Sequence, residues 1–363
     1  MTYTKLPGVY FGESVTTIAD TTGSDEVLTF IVQTSSTISS IDDKLTLFTS
    51  FDAFNTVATN KGLTKTLAFI NKVLAATGHT QFYVYSVKTD TSTGWTNAIT
   101  SSSHLKENMK FIYYEETASS GSMTLASKIS TLATACATCY GLGAFRVSYV
   151  IPYGTLAAAI TAATSTPAES TIVTQFTSLL SGDGNSRVVV LLPDGEDAMM
   201  ATIINAGYTT EPGYPVVSGN VSTLTYEFTR DQMLTLQNLG VCFLRKEKVN
   251  GILQYRINLG VNTAFKSSKA DGLIFSRAVA DQLLREVDEA VEPFIKEGET
   301  TSNLTFVQTA VDGVVAEFVT DELVKKDGTN LTVVDSGNMT FGITGTITTT
   351  KSLIAIDVAV TIA

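Results

Sequence analysis

The sequence predicts an α/β domain with a mainly parallel sheet, then an α+β C-terminal domain, with an extended arm at each end of the chain. Three observations lead to this fold class. Up to residue 205, short apolar segments alternate with segments of helical period, which is typical of a parallel sheet covered by helices on both faces. After residue 207 the order changes to a helix, a hairpin and two long helices. Both chain ends carry residues that favour extended structure.

On this basis we divide the chain into four parts. Residues 1–20 are predicted to form an extended N-terminal arm, 21–206 the α/β domain, 207–345 the α+β domain, and 346–363 a linker with a C-terminal strand. The boundary rests on the turn-rich stretch Gly-Tyr-Thr-Thr-Glu-Pro-Gly-Tyr-Pro that begins at residue 207. A chain of 363 residues is long enough for two such domains, since domains commonly run to ~100–200 residues.

The N-terminal segment carries few helix signals. Pro7 and Gly8 disfavour the start of a helix, whereas Val9, Tyr10 and Phe11 favour extended structure. Two interpretations stay open for this segment, an extended arm or a first strand of the main sheet.

Five strands are predicted in the α/β domain, each from a short apolar run. They cover residues 27–33, 81–87, 109–115, 145–151 and 187–192. The helices are predicted over 64–77, 97–103, 122–140, 154–163, 168–181 and 196–205. Gly78 is expected to end the first of them. Because such sheets bind ligands at the carboxyl ends of their strands, chemistry would be sought there.

The C-terminal domain is predicted to begin with a helix over 229–239, with Thr229 as its N-cap. A hairpin, two long helices and two further strands follow. These elements are expected over 241–246 and 252–257, 271–292 and 303–325, and 331–335 and 339–344. Pro293 is expected to stop or bend the first long helix. Gly345 begins a Gly- and Thr-rich linker that we predict to be a hinge.

Both long helices are amphipathic. The apolar face of the first consists of Ala280, Leu284, Val287 and Val291. Its charged face consists of Arg277, Asp281, Arg285, Asp288 and Glu292. The apolar stripe of the second consists of Val307, Val311, Val314, Phe318 and Leu323. The charged face is either a solvated surface or a contact for a partner.

The last twelve residues, 352–363, alternate between apolar and smaller or polar side chains, which is typical of a half-buried strand. One face carries Ile354, Ile356, Val358, Val360 and Ile362. The other carries Leu353, Ala355, Asp357, Ala359 and Thr361. Because chain ends fray unless they are tied down, we expect this strand to pair with its own sheet or with that of a neighbouring subunit.

Composition excludes several classes of protein. The net charge of -11 and the lack of a basic stripe argue against nucleic-acid binding. No apolar run reaches the ~18 residues of a membrane span, no secretory signal is visible, and three cysteines do not make a disulfide framework. A reducing cytoplasm is therefore the expected site of synthesis. Charged residues make up 16% of the chain, against about 25% in typical soluble domains, which suits a surface that is buried in an assembly.

The residue types that carry chemistry form no constellation that we interpret as catalytic, cofactor-binding or metal-binding. His79 and His104 are isolated, and Cys136 and Cys139 are expected to pack inside a helix, with only Cys242 elsewhere. Residues 182–184 are interpreted as a turn, because the remainder of a phosphate-binding loop is missing. The acidic group Asp194, Glu196 and Asp197 could bind Mg²⁺ but is better explained by the start of a helix.

The order of elements resembles the tail sheath protein of contractile-tailed phages and related contractile injection systems. The resemblance extends over nearly the whole chain and is carried locally by Pro-Gly-Val-Tyr at 7–10, Leu-Gln-Asn-Leu-Gly-Val at 236–241, Glu292–Pro293 and the terminal strand. The segment 257–265 departs from the family pattern, because it keeps Gly260 and Thr263 but lacks the family's Trp and Arg.

The resemblance implies a structural subunit, with no enzymatic activity and no cofactor. Such subunits polymerise around an inner tube and contract to drive it through a target envelope, and their terminal arms are added as strands to neighbouring subunits. The α/β domain would lie outward and the α+β domain inward, with Arg277, Asp281, Arg285 and Asp288 as possible tube-facing residues.

The partners implied by the resemblance are further copies of the chain, the inner tail tube protein, and baseplate and tail terminator proteins. No nucleic acid and no membrane insertion are expected. The location would be a virion tail or an extracellular contractile particle, assembled in the host cytoplasm. Two alternatives stay open: another self-assembling shell or adhesin protein, and an α/β-fold hydrolase or nucleotide-binding enzyme.

Overall fold

The structure is a computed structural model of the chain. It describes residues 26–105, 107–118, 121–182, 184–205, 216–217, 224–249, 252–269, 271–294, 301–335 and 341–350. The predicted N-terminal arm, with Pro7, Gly8, Val9 and Tyr10, lies outside the described residues. So does the predicted terminal strand, with Ile354, Ile356, Val358, Val360 and Ile362.

The first part of the chain alternates strands and helices as predicted. Its strands are β1 (Glu26–Gln33), β2 (Thr46–Phe48), β3 (Phe82–Val87), β4 (Asn108–Tyr114), β5 (Arg146–Ile151) and β6 (Val188–Leu191). Its helices are α1 (Phe51–Ala58), α2 (Thr64–Thr77), α3 (Ser92–Thr100), α4 (Leu125–Tyr140), α5 (Tyr153–Ala162), α6 (Ala168–Leu179) and α7 (Glu196–Asn205).

The second part contains β7 (Val216–Val217), α8 (Arg230–Asn238), β8 (Val241–Cys242), β9 (Leu244–Val249) and β10 (Ile252–Ile257). It continues with α9 (Ile274–Val291), α10 (Thr301–Thr320), β11 (Asn330–Asp335) and β12 (Phe341–Thr346). A short 3-10 turn over Glu292–Phe294 follows α9 at the predicted proline. No helix in the described part of the chain is both long enough and apolar enough to cross a membrane.

Seven strands form one mixed sheet in the order β2-β3-β1-β4-β5-β6-β8. All neighbouring pairs are parallel except β2 with β3. The prediction of a mainly parallel sheet is therefore confirmed. The seventh strand, β8, comes from beyond residue 207, so the sheet extends across the predicted domain boundary. The strand predicted over 241–246 is divided, because its first residues form β8 of this sheet and the others belong to the hairpin of β9 and β10.

Apolar side chains cover the sheet on both faces. On one face α1, α2 and α7 contribute Phe54, Ile70 and Met199 to a buried cluster. On the other face α3, α4 and α6 contribute residues such as Trp95 and Phe176. This two-sided burial explains why the strands have near-continuous apolar runs, since a strand with both faces covered needs apolar residues at every position.

Local capping signals agree with the predicted helix ends. Gly78 ends α2 in the left-handed region with φ of 75°, which glycine adopts without a Cβ clash. Thr229 caps α8. Its hydroxyl oxygen accepts from the Gln232 backbone amide, and the Gln232 side-chain oxygen accepts from the Thr229 backbone amide. Such a reciprocal capping box satisfies two donors that the first turn would otherwise leave unpaired.

Two local predictions need correction. The helix expected over 97–103 is α3, which begins at Ser92 and includes Trp95, with Thr91 as its N-cap. Helix α1 and strand β2 were not predicted. Trp95 of α3 and Phe54 of α1 each bury a large ring in the core with 0% exposure. Packing of this kind stabilises a helix even where its local sequence pattern is weak.

Candidate functional site

The first candidate site is the switch point of the main sheet. From β1 the chain proceeds to β3 on one side, whereas β4, β5 and β6 are added on the other side. In doubly wound sheets, ligands bind outside the strand carboxyl ends where the strand order reverses in this way. Here the two strands concerned are β1, which ends at Gln33, and β4, which ends at Tyr114.

Side chains at this point bond to one another. The Gln33 Oε1 accepts from the Tyr113 hydroxyl at 3.0 Å and from the Lys128 ammonium at 2.9 Å. Lys128 also pairs with Asp90 at 3.2 Å, and Asp90 accepts from the Trp95 indole nitrogen at 2.8 Å. The crevice between β1 and β4 is thus crossed by a hydrogen-bonded network of the protein's own side chains.

Burial and pairing oppose each other in this network. Burial lowers the pKa of Lys128, which has no exposed surface, while Asp90 acts to raise it. Burial alone would raise the pKa of Asp90, but the bonds from Trp95 and Lys128 lower it below its ordinary value. The carboxylate is therefore the favoured form, as expected for a half-buried acid beside a cation and good donors.

The carboxylates that follow the strands accept hydrogen bonds from backbone amides. Glu115 after β4 accepts from the Thr155 amide in the first turn of α5 at 2.9 Å, and Glu116 accepts from the first amides of α2. Asp194 after β6 accepts from the Thr225 and Tyr226 amides. An anion that accepts from the amides at a helix start satisfies donors that have no intrahelical partner.

Glu196 and Asp197 lie in the first turn of α7, where the sequence analysis placed them. Asp197 faces Lys72 at 3.4 Å. Burial raises the pKa of Glu196 from its ordinary 4.5 to about 7, with the nearby Asp197 and Asp194 carboxylates adding to the shift. Among the residues that the structure describes, no three His, Cys, Asp or Glu side chains are grouped as a metal ion would require.

We expect Glu196→Gln to stabilise the protein above neutral pH. The folded chain holds this proton up to about pH 7, whereas an unfolded chain releases it near 4.5. Stability is therefore lost as the pH rises between these values, by up to about 3 kcal/mol at about 1.4 kcal/mol per pKa unit. Urea unfolding at pH 4 and pH 8 should show equal stabilities at pH 4 and a more stable variant at pH 8. Exposed Glu317 provides the control Glu317→Gln, and an equal gain at both pH values would contradict the assignment.

The three cysteines are buried and free. Burial raises the pKa of Cys136 to about 12 and that of Cys139 to about 11. Cys242 contacts the carbonyl oxygens of Leu259 and Val261. All three thiols therefore favour the protonated form, which is a poor nucleophile and a poor metal ligand.

The remaining residues selected from the sequence are separated from one another. His79 is half-buried after α2, and His104 is exposed in the loop after α3. Gly184 lies before β6, where an added Cβ would meet the Thr263 carbonyl oxygen at 2.1 Å. This glycine allows a close approach between the loop before β6 and the second part of the chain.

The second candidate region is a buried ion cluster, which consists of Arg187, Asp281 and Arg277. Arg187 precedes β6 and donates from both terminal nitrogens to the two Asp281 carboxylate oxygens, each at 2.8 Å. Arg277, one turn before Asp281 on α9, donates to the same carboxylate. The ring of Tyr140 on α4 lies 4.3 Å from the Arg187 guanidinium carbon. The cluster therefore joins the main sheet to α9.

This cluster contains two of the four residues on α9 that were predicted to face the tube. Arg277 and Asp281 have 6% and 7% of their surface exposed, so they are not available to a partner on the surface. The predicted charged face is real as a sequence pattern, but two of its five residues, Arg277 and Asp281, belong to the buried cluster with Arg187. Arg285 and Asp288 are half-buried, and for them a contact with a tube stays a prediction.

The third candidate region is the hairpin of β11 and β12. Leu331, Val333 and Ile343 pack with α10 in the third buried cluster, whereas Val334 is 38% exposed on the other face. A two-stranded sheet is only marginally stable by itself. The hairpin is therefore a small half-buried sheet supported by α10.

The predicted hinge begins at Gly345, in the last strand of the hairpin. Gly345 lies within β12, opposite Leu331, and a Cβ there would meet the Asn330 carbonyl oxygen at 1.7 Å. The chain stays bonded beyond β12, because the Thr350 amide donates to the Leu323 carbonyl oxygen at 2.9 Å. Glycine at 345 therefore allows the close approach of two strands, and a hinge at this position stays a prediction.

Sequence reasoning missed the arginines that enter two buried strands. Arg146 begins β5 and Arg187 precedes β6, and both side chains are buried. A signal was present, since a cation directly before a strand with two apolar faces must find acceptors inside the protein. The acceptors that bond to each arginine could not be identified from the sequence pattern.

Comparisons with known proteins give structural matches only. No protein-family model and no curated protein matches the sequence. The helical sheath of the anti-feeding prophage in its contracted state matches over 99% of both chains, with 14% identity and a TM-score of 0.63. The PVC sheath complex of an extracellular contractile injection system, also contracted, matches over 99% of this chain and 98% of that chain, with 12% identity and a TM-score of 0.64. The sheath tail protein from Listeria innocua matches over 90% of this chain and 92% of its own, with 8% identity and a TM-score of 0.56.

A chain from the anti-feeding prophage baseplate structure also matches, over 99% of this chain and 100% of its own, with 14% identity and a TM-score of 0.63. The described chain thus has the fold of contractile sheath proteins. The fold class predicted from the resemblance is confirmed at the level of its mixed, mainly parallel sheet and its helices.

Proposed function

We propose that the chain is the structural subunit of a contractile tail sheath, which polymerises around an inner tube and contracts to drive it through a target envelope. The observation that carries this proposal is the match to two sheaths in the contracted state over 99% of the chain. A match over the whole length is more informative than one to an α/β domain alone, because such domains support many functions. The second part of the chain, with its small hairpin, is matched as well.

Subunits are proposed to be linked by donated strands. The donors would be the predicted arms around residues 7–10 and 354–362, and the acceptor would be a sheet of a neighbouring subunit. The hairpin of β11 and β12 supports this proposal, because a two-stranded, half-buried sheet gains stability when a strand is added. Alternating Ile and Val side chains in the C-terminal arm suit a strand with one buried face.

The proposed partners are other copies of the chain, the inner tail tube protein, and baseplate and tail terminator proteins. The matched baseplate and sheath structures support the homo-oligomeric and baseplate parts. Arg285 and Asp288 remain candidates for the tube contact. The proposed location is a virion tail or an extracellular contractile particle that is assembled in the host cytoplasm.

We propose a structural role and no catalytic one. The network at the switch point supports this, since Gln33, Asp90 and Lys128 bond to one another and to aromatic side chains. Energy for contraction would then come from new contacts between subunits and not from a bound nucleotide.

Deletion of Leu353–Ala363 is expected to abolish tube formation. The truncated chain loses the donated strand, while the described core of the subunit stays intact. Electron microscopy of the purified protein should show tubes for the full chain and none for the truncated one, with circular dichroism confirming that both are folded. Tubes of normal diameter from the truncated chain would refute strand donation by this segment.

Matched point variants sharpen the same test. Val358→Asp places a charge on the predicted buried face, where an unpaired charge costs several kcal/mol, whereas Ala359→Asp places it on the opposite face. We expect the first variant to lose tubes and the second to keep them. If both lose tubes alike, the strand does not have one buried face.

Tubes that shorten and widen would distinguish a contractile sheath from a static shell.

A further inference from the structure

Gln308 places its side-chain amide against the outer edge of β11. Its Nε2 donates to the Leu331 carbonyl oxygen at 3.0 Å, and its Oε1 accepts from the Val333 amide nitrogen at 2.7 Å. An adjacent strand would bond these same two backbone groups, because alternate residues of a strand face the same neighbour. The glutamine amide therefore takes the place of a strand at this edge.

Among the residues that the structure describes, none covers the opposite edge of the hairpin in this way. Since Leu331 and Val333 direct their polar backbone groups to Gln308, Thr332 directs its own toward Thr344 of β12. The same alternation turns the amides and carbonyls of Ile343 and Gly345 away from β11. Among the described residues, none bonds these outward groups of Ile343 and Gly345.

Within the described part of the chain, the hairpin thus has one closed and one open edge. Exposed strand edges invite pairing, and proteins commonly protect the edges that should stay unpaired. α10 provides this protection for β11, and Asp312 accepts from the Gln308 Nε2 at 2.8 Å, which helps to fix the amide.

We propose that Gln308 is an edge-capping residue that closes β11 to strand addition and directs an incoming strand to the outer edge of β12. The incoming strand is residues 353–363 of a second copy of this chain, and in this respect the inference rests on the proposed function. The assembled sheet then has the order β11, β12, incoming strand. Gln308 determines that order without touching the incoming strand.

Two observations favour this occupant. The buried face of the hairpin is formed by Leu331, Val333 and Ile343, and a strand with β-branched residues on alternate positions extends such a face. The chain's own continuation is bonded elsewhere as far as the structure describes it, because Thr349 bridges to Val324 and Thr350 bonds to Leu323. A second copy is therefore better placed than the same copy to occupy the edge of β12.

The test uses full-length protein carrying Val358→Asp, which disables its own donation, and a synthetic peptide of residues 352–363. Amide hydrogen exchange is measured at single residues with and without the peptide. We expect the peptide to slow exchange at Ile343 and Gly345 at least about tenfold and to leave Val333 unchanged. Thr332, whose amide faces β12, reports whether the hairpin is intact.

Adding Gln308→Ala to this protein should open the second edge. Without peptide the Val333 amide should exchange about tenfold faster, and with peptide it should become protected together with Ile343. Thr309→Ala is the matched control, because Thr309 is the next residue of α10, is exposed, and donates its hydroxyl to the Thr305 carbonyl oxygen of the same helix.

The outcomes separate the two proposals. Protection at Ile343 that is unaltered by Gln308→Ala, with no new protection at Val333, would overturn the edge-capping role and leave strand donation standing. If the peptide protects neither edge in any variant, both the edge-capping role of Gln308 and strand donation to this hairpin are overturned. Protection of Ile343 in the wild-type chain at every protein concentration would assign the edge to the chain's own strand and overturn the second copy as occupant.

Discussion

Replacement of Asp281 by alanine is expected to destabilise the folded chain by about 3–5 kcal/mol, because two buried guanidinium groups lose their shared anion. The Asp281 carboxylate accepts bonds from both Arg187 and Arg277, and all three side chains are less than a tenth exposed. Loss of the anion leaves two like charges close together in the interior. Urea unfolding at neutral pH measures the effect.

The control is Glu289→Ala, since Glu289 lies on the same helix but is exposed. It should change stability by less than about 0.5 kcal/mol. A triple change of Arg187, Arg277 and Asp281 to apolar residues should recover much of the loss, because removing all charges leaves none unpaired. An Asp281→Ala protein as stable as the Glu289→Ala control would show that the cluster contributes nothing.

The stability lost in Asp281→Ala is expected to depend on pH. Burial alone would raise the pKa of Asp281, but the Arg187 and Arg277 guanidiniums lower it below its ordinary 3.8. A lowered folded pKa gives stability that is present above the unfolded value and is lost as the pH falls toward the folded value. The stability difference between wild type and Asp281→Ala should therefore shrink below about pH 4.

Replacement of Arg146 by methionine is expected to cost more than about 3 kcal/mol, because several buried carbonyl groups lose their donor. Arg146 has no exposed surface. Its guanidinium donates to the Ser102 hydroxyl and carbonyl and to the carbonyls of Leu105, Glu107 and Phe145, at 2.7–2.9 Å. Burial lowers the pKa of this group from 12.5 to about 10.

These five bonds hold the loop between α3 and β4 against the start of β5. A graded series tests the account, since lysine has three donors where arginine has five. We expect stability to fall in the order wild type, Arg146→Lys, Arg146→Met in urea unfolding. Faster proteolysis within residues 101–107 should accompany the loss in both variants. A methionine variant that is more stable than the lysine variant would show that burial of the charge, and not the lost bonds, determines the energy.

The prediction for Asp281 concerns contacts that cross the predicted division of the chain, whereas the Arg146 bonds all lie within its first part. Asp281 on α9 reaches Arg187 before β6, and the added strand β8 completes the main sheet from beyond residue 207. If the chain is a sheath subunit, these contacts would keep the two parts of a subunit together while its neighbours move. The division at residue 207 stays a prediction about sequence organisation.

Local features were largely predictable. The strands β4, β5 and β6 and the helices α2, α7 and α8 lie within one or two residues of their predicted ranges. Their apolar periods and capping residues act over a few positions, so a short stretch contains the information. The helix containing Trp95 was displaced in the prediction because polar Ser and Thr residues begin it and give little periodic signal.

Candidate sites were less predictable. The charged residues of α9 form a face at helical spacing, and the sequence cannot distinguish a face that meets water from one that meets a buried partner. Asp281 faces a buried partner because it bonds to Arg187, which lies 94 positions away in the sequence. Gly345 has the composition of a linker, but its neighbour across the hairpin requires a residue without a side chain.

By itself, the sequence determined the alternation of strands and helices, the main helix caps, and the order of elements that resembles a sheath protein. It did so because period and capping are local properties of the chain. The tertiary structure decided the recruitment of β8 to the main sheet, the burial of Arg277 and Asp281, and the placement of the Gln308 amide on the edge of β11. These depend on which distant groups meet, and an amphipathic pattern shows that a face is buried without showing what buries it.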